Sequence, residues 1–150
     1  MAPAPPDAPL DAPLDAPLER FSPPVREWFR ASFDAPTRAQ QLGWPPIADG
    51  DHTLLLAPTG SGKTLAAFLW AIDRLATQAA PEPQRRARVL YISPLRALAV
   101  DVERNLRAPL AGIRHAADRT GARLLHEPTV AIRTGDTPSR ERRQIARRPP

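Results

Sequence analysis

The residues with the clearest chemical meaning lie between Ala57 and Thr64, where the sequence reads Ala-Pro-Thr-Gly-Ser-Gly-Lys-Thr. This phosphate loop (residues 57–64) matches A-x-x-x-x-G-K-T, a form of the nucleotide-binding loop that joins a strand to a helix. Its glycines allow successive backbone N–H groups to turn towards one anion, and the following helix adds the positive end of its dipole. We therefore expect nucleotide phosphates to contact Pro58, Thr59, Gly60, Ser61, Gly62, Lys63 and Thr64.

Lys63 and Thr64 are the two residues of the loop that we expect to act in phosphoryl transfer. An ammonium at this position reaches the β- and γ-phosphates, and the hydroxyl that follows is a ligand for Mg²⁺. Lys63 is the only lysine in the chain, and every other residue of the Lys/Arg class is arginine. A compact ammonium fits between phosphates where a planar guanidinium does not, so the exception marks a chemical requirement.

Short apolar runs alternate along the chain with segments whose apolar residues recur at helical spacing. Such runs are typical of strands buried on both faces of a parallel sheet. The alternation predicts an α/β fold, with a mostly parallel sheet and flanking helices. The predicted strands are residues 53–57, 89–92 and 130–133, and the predicted helices are residues 24–33, 36–43, 96–106 and 110–120, a helix from residue 63, and one within 137–150. Residues 44–46, with two prolines, predict an extended connection.

The first twenty residues differ in composition from the rest. They repeat Asp-Ala-Pro-Leu from Asp7, Asp11 and Asp15. Proline lacks a backbone N–H and fixes φ, so this repeat cannot form a regular helix or a central strand. We expect residues 1–20 to be a disordered tail and residues 21–150 to form the domain.

Composition excludes several classes of protein. The absence of cysteine rules out disulfides and thiolate metal sites, and His52, His115 and His126 lack the spacing of metal ligands. No apolar run approaches the roughly 20 residues that span a bilayer, and no secretory signal is present, so a cytoplasmic location is expected. The net charge of +5 favours nucleic acid only weakly, because arginine replaces lysine throughout.

Residues 36–40, Pro-Thr-Arg-Ala-Gln, resemble the glutamine motif of superfamily 2 helicases. Pro-Thr-x-x-Gln alone is also typical of a helix N-terminus. The resemblance implies that Thr37 and Gln40 bind the nucleotide, with the Gln40 amide on the adenine edge. One donor and one acceptor match adenine N6 and N7, so ATP is favoured over GTP.

Two further segments resemble helicase motifs that hold a single strand. Residues 93–99, Ser-Pro-Leu-Arg-Ala-Leu-Ala, resemble motif Ia, and residues 133–137, Arg-Thr-Gly-Asp-Thr, resemble a second contact segment. Such contacts read the backbone rather than the bases. Asp136 is interpreted as a turn or cap residue. The resemblance implies nucleic-acid contacts by Pro94, Arg96, Thr134, Gly135 and Thr137.

Together, residues 21–150 are similar to the Lhr-type (large helicase-related) proteins of the DEAD/DEAH-box superfamily 2. That resemblance implies a RecA-like P-loop NTPase domain that uses ATP and Mg²⁺ and contacts single-stranded DNA. It also implies 3′ to 5′ unwinding and an association with DNA repair.

The sequence has no adjacent Asp-Glu pair, so the Asp-Glu-x-His element of these helicases is missing. The coupling element and the second domain with its arginine finger are missing as well. We therefore expect an incomplete first motor domain that does not hydrolyse ATP at a useful rate by itself. Two alternatives stay open, namely a short non-catalytic module that binds ATP or nucleic acid, and another P-loop enzyme such as a nucleotide kinase. The choice between DNA and RNA is open too.

Overall fold

The computed structural model describes residues 16–150. Most of the predicted tail, residues 1–15, lies outside the described residues. The end of that tail, Ala16–Arg20, forms a 3-10 helix, and its Leu18 side chain is fully buried. The folded part of the chain therefore includes residues that composition alone assigned to the tail.

Five α-helices supply most of the regular structure of residues 16–150, with a second 3-10 helix at Pro83–Arg85. Every predicted helix has a counterpart among them, although two of the observed helices are longer than the apolar spacing suggested. The five are α1 (Pro23–Ser32), α2 (Arg38–Asp49), α3 (Lys63–Thr77), α4 (Arg96–Thr120) and α5 (Ser139–Arg147).

Proline does not end the helices where the sequence suggested. α2 continues through Pro45 and Pro46 to Asp49, so the predicted extended connection at residues 44–46 is wrong. Trp44 is fully buried, and burial of this large ring favours the helical path although the prolines remove backbone donors. In the same way α4 passes through the buried Pro109, where two separate helices were expected.

The predicted parallel sheet is wrong, because no segment of residues 16–150 forms a strand. Residues 53–57, 89–92 and 130–133 are non-helical, and in this part of the chain no backbone hydrogen bond joins one of them to another. Their apolar side chains are largely open to solvent, as at Leu54 (83% exposed) and Leu90 (84% exposed). An apolar run shows a preference for burial, whereas a strand also needs a neighbour about 4.8 Å away to share its hydrogen bonds. The described chain is therefore all-helical rather than α/β.

The core lies where α1 packs on α4 and α2 packs on α3. Aromatic rings meet edge to face within it, and the ring centroids of Phe21 and Trp44 are 4.9 Å apart. Trp28 packs against α4 at Gly112, where the absence of a side chain lets the indole approach the backbone. The core residues are Leu18, Phe21, Val25, Trp28, Phe29, Trp44, Phe68, Leu69, Ile72, Leu106, Ile113 and Ala116.

A buried carboxylate ties the beginning of α1 to α3, the helix that follows the phosphate loop. Asp73 is fully buried, and its two carboxylate oxygens accept the Ser22 N–H at 3.2 and 3.3 Å. Arg74 also donates to Asp73, at 2.9 Å. Because a buried carboxylate is costly unless it is paired and hydrogen bonded, these contacts fix α3 relative to α1.

On the surface, Glu19 accepts hydrogen bonds from Arg30 and Arg26 of α1. The hydrogen bond from Arg30, assisted by the charge of Arg26, lowers the pKa of Glu19 below its usual value. None of the helices in residues 16–150 combines the length and the apolar character needed to cross a membrane.

Candidate nucleotide and nucleic-acid site

The phosphate loop leads directly into α3, as the sequence predicts. Gly60 and Gly62 have φ values of 82° and 80°, a region that side-chain-bearing residues rarely adopt. Gly62 is the residue just before the helix, and the Ala66 N–H donates to its carbonyl at 2.9 Å. The first amides of α3 therefore follow without a break from the glycine turn, which is the arrangement that an anion at a helix N-terminus uses.

Lys63 lies over the loop to which it belongs. Its Nζ donates to the Ala57 carbonyl at 2.6 Å and also to the Pro58 carbonyl. The ammonium is thus held by carbonyl dipoles of the phosphate loop itself. A phosphate that binds Lys63 must compete with these two contacts.

The other predicted phosphate contacts are open to solvent. Pro58, Thr59 and Gly60 are exposed, and Thr64 is exposed in the first turn of α3. Ser61 is half-buried, and its hydroxyl donates to the Pro58 carbonyl at 2.8 Å. In residues 16–150 no cluster of three His, Cys, Asp or Glu side chains is placed to hold a metal. The exposed Thr64 hydroxyl is therefore accessible to a metal ion that takes its other ligands from elsewhere.

The residues of the glutamine motif contact the phosphate loop directly. The Thr37 hydroxyl donates to the Ser61 carbonyl at 2.8 Å, and Gln40 Nε2 donates to the Gly62 carbonyl at 3.5 Å. These pairs are separated by 24 and 22 residues, so the tertiary fold brings the two motifs together. This contact between distant segments is the central geometric feature of the site.

Thr37 and Gln40 also form a capping box at the beginning of α2. The Thr37 N–H donates to Gln40 Oε1 at 3.0 Å, and the Gln40 N–H donates to Thr37 Oγ1 at 3.4 Å. Gln40 is 4% exposed, so its amide is held in place from both sides. The helix N-terminus and the loop contact thus use the same glutamine, whose contact with adenine stays a prediction.

The two segments that resemble strand-binding motifs are joined by an ion pair. Arg96 begins α4, and its guanidinium donates to the Asp136 carboxylate, 40 residues away in sequence. The two side chains are 66% and 71% exposed. Pro94, also exposed, lies in the connection before α4. Sequence reasoning treated Asp136 as a turn residue and missed its pairing with Arg96, for which no local pattern exists.

The threonine turn (residues 134–137) has its own hydrogen bonds. The Thr134 N–H donates to Thr137 Oγ1 at 2.8 Å, and the Asp136 N–H donates to Thr134 Oγ1 at 3.3 Å. Gly135 is exposed at the tip. The guanidinium of Arg142 on α5 donates to carbonyls of the same turn, and the sequence gave no signal for this contact.

Comparison with protein families identifies the group to which these motifs belong. The description "DEAD/DEAH box helicase" matches residues 37–149, from the first residue of the capping box to the end of α5 and beyond. The chain belongs to the DEAD/DEAH box helicase family. Family membership removes the nucleotide-kinase alternative.

Curated helicases named Lhr are similar to most of the chain. The Lhr helicase/probable uracil glycosylase of Mycolicibacterium smegmatis is 59% identical over 133 residues, which are 87% of this chain and 9% of that protein. The Lhr helicase/uracil glycosylase of Escherichia coli is 47% identical over 135 residues, again 87% and 9%. The ATP-dependent helicase Lhr-Core of Methanothermobacter thermautotrophicus is 47% identical, over 85% of this chain and 15% of that protein.

A solved structure supports the same relationship. The chain is similar to Mycobacterium smegmatis helicase Lhr bound to ssDNA and AMP-PNP, with a TM-score of 0.77 and 55% identity. The match covers 89% of this chain and 16% of that one. The chain therefore spans less than a fifth of the length of these relatives.

Proposed function

We propose that this chain binds ATP at the phosphate loop and single-stranded nucleic acid at the ion-paired segments, as the ATP-binding portion of an Lhr-type DNA helicase. The observation that carries the proposal is the contact of Thr37 and Gln40 with the carbonyls of Ser61 and Gly62. A nucleotide site needs a base contact next to a phosphate contact, and these hydrogen bonds join the two. The similar Lhr structure, with AMP-PNP and ssDNA bound, supports the same assignment.

ATP binding begins with an exchange of partners at Lys63. The β- and γ-phosphates replace the Ala57 and Pro58 carbonyls around the ammonium, while the amides after Gly62 donate to phosphate oxygens. A hydrogen bond to a charged group is worth about 1.5–3 kcal/mol, so loss of the ammonium weakens binding roughly ten- to hundredfold.

The exposed Thr64 hydroxyl fits Mg²⁺, which takes most of its ligands from nucleotide phosphates and water and few from protein. When bound, the ion neutralises charge on the phosphate oxygens. The chain has no adjacent Asp-Glu pair to orient an attacking water. We infer that these 150 residues bind ATP without turning it over by themselves. A cytoplasmic location and a role in DNA repair belong to the same proposal.

The lone lysine provides a direct test of ATP binding. Lys63 and the N-terminal amine are the only primary amines in the chain, so an amine-reactive reagent reports on one side chain. We expect ATP with Mg²⁺ to protect Lys63 from acetylation, GTP to protect it less, and the N-terminal amine to react equally in every sample. Mass spectrometry of the peptides measures both sites.

Two substitutions connect protection to the proposed contacts. Gln40→Ala should raise the ATP concentration needed for protection, because it removes the link between base and phosphate contacts. Gln41→Ala is a matched control, since within residues 16–150 the Gln41 side chain donates only to the Pro36 carbonyl. Equal acetylation of Lys63 with and without ATP refutes the nucleotide proposal.

A further inference from the structure

Arg142 contacts three carbonyl groups of the threonine turn. Its Nε donates to the Thr137 carbonyl at 2.7 Å, and its Nη2 donates to the Thr134 carbonyl at 3.2 Å and to the Gly135 carbonyl. Hydrogen bonds from a charged donor are stronger than neutral ones, and the planar guanidinium orients several acceptors at once. A single side chain therefore fixes the path of the turn.

The hydrogen bonds inside the turn determine what it can offer to a ligand. Thr134 Oγ1 and Thr137 Oγ1 each accept a backbone N–H of the turn, and they lie 3.4 Å apart, so that one hydroxyl donates to the other. The two hydroxyls have two protons between them, and this contact uses one. The other proton is left for an acceptor outside the turn. The carbonyl oxygens of the turn carry partial negative charge that would repel a phosphate. Because Arg142 donates to these oxygens, that repulsion is reduced.

We propose that Arg142 is a positioning residue for nucleic-acid binding, which holds the threonine turn so that its remaining hydroxyl proton meets a backbone phosphate. The inference rests on the proposed function, because it takes the threonine turn to be a strand-binding segment. Arg142 acts through the turn and need not touch the nucleic acid. The charge of the guanidinium adds to the attraction, but its hydrogen-bonding geometry is the essential property.

Arginine and lysine differ in the property that matters here. An ammonium carries the same charge, but it lacks the planar fork that reaches several carbonyls together. Arg143 is the matched control for charge, because it is exposed on the same helix and its side chain makes no hydrogen bond within residues 16–150. α5 contributes no buried residue, so substitutions at either position leave the core intact.

The test measures the affinity of the 150-residue chain for fluorescein-labelled oligo-dT by fluorescence anisotropy. Arg142→Ala and Arg143→Ala remove one charge each. We expect Arg142→Ala to weaken binding on the order of tenfold more than Arg143→Ala, and Arg142→Lys to behave like Arg142→Ala. If Arg142→Lys binds like wild type, or the two alanine variants are equal, the positioning role is refuted.

A second measurement needs no nucleic acid. Hydrogen exchange at the Thr134 and Asp136 amides reports the order of the turn, because both amides donate to its hydroxyl oxygens. We expect faster exchange in Arg142→Ala and Arg142→Lys and unchanged exchange in Arg143→Ala. Unchanged exchange in all variants also refutes the positioning role. A wild-type chain that binds no oligonucleotide, while exchange still responds to Arg142, refutes the proposed function instead.

Discussion

Alanine substitutions at Gly60 and Gly62 separate two reasons for glycine in the phosphate loop. Both residues have positive φ, at 82° and 80°. An L-residue in this region costs about 1–2 kcal/mol, so each substitution loses that amount through the backbone alone. Only the surroundings of the added β-carbon differ between the two positions.

At position 60 a β-carbon meets nothing within 4 Å, so the backbone term is the whole expected effect. At position 62 it would lie 2.7 Å from Gln40 Nε2 and 3.2 Å from Thr37 Oγ1. The buried Gln40 amide must then move, which weakens a capping interaction worth about 1 kcal/mol and adds an overpacking cost of about 1–3 kcal/mol. We expect Gly62→Ala to be more destabilising than Gly60→Ala by roughly 2–4 kcal/mol.

Equilibrium unfolding in urea without nucleotide measures the difference. Tryptophan fluorescence follows the transition, because Trp44 is fully buried in the native core. The comparison uses the free energies of unfolding of the two variants at unchanged m-value, so that both refer to the same cooperative transition. Equal losses for the two variants, or a larger loss for Gly60→Ala, would contradict the packing of Gln40 against the loop.

Four further substitutions test the framework of the site. Asp73→Asn removes the charge that accepts the Ser22 N–H and should lower the free energy of unfolding by about 1.5–3 kcal/mol. Ser22→Ala should be neutral or stabilising, since the Ser22 hydroxyl is buried without a partner in the described residues. Gly112→Ala gains about 1 kcal/mol of helix propensity but loses about 1–3 kcal/mol or more by overpacking, because its β-carbon would lie 2.2 Å from the Trp28 ring, so its melting temperature should fall. Glu19, whose pKa is lowered by the arginines of α1, stabilises the fold above its unfolded pKa and loses this contribution as the pH falls through its folded pKa. The difference in melting temperature between wild type and Glu19→Gln should therefore be present at neutral pH and disappear in acid, and a difference that persists would refute this origin.

The phosphate loop and the beginnings of the helices were predictable because their signals are local. Gly-Lys-Thr predicts a helix that begins near Lys63, and Pro36-Thr37 predicts a helix that begins at residue 36. In the structure α3 begins at Lys63, and α2 begins at Arg38, two residues later than predicted. Each signal depends on residues within about one helical turn, where the chain has few alternative conformations. At Gln40 the same amide caps α2 and reaches the loop, so the capping role does not exclude a contact with adenine, which stays a prediction.

The predictions failed where partners outside the local segment decide the conformation. Residues 53–57 and 89–92 have the composition of buried strands, yet no ladder hydrogen bonds form within the described chain. The predicted helix end at residue 43 and the predicted break between residues 106 and 110 are both absent, because buried side chains such as Trp44 favour the helical path. The composition of a segment indicates its preference for a buried strand, but it does not show whether neighbouring strands are present to pair with it.

The sequence by itself determined the chemical groups of this protein: a glycine turn with one ammonium, a capping threonine and glutamine, and clustered arginines. It determined them because each is a property of adjacent residues. Only the tertiary structure decided which groups meet, since these contacts join residues far apart in sequence whose approach depends on how the helices pack. The contacts of this kind are Gln40 with Gly62, Ser22 with Asp73, Arg96 with Asp136, and Trp28 with Gly112.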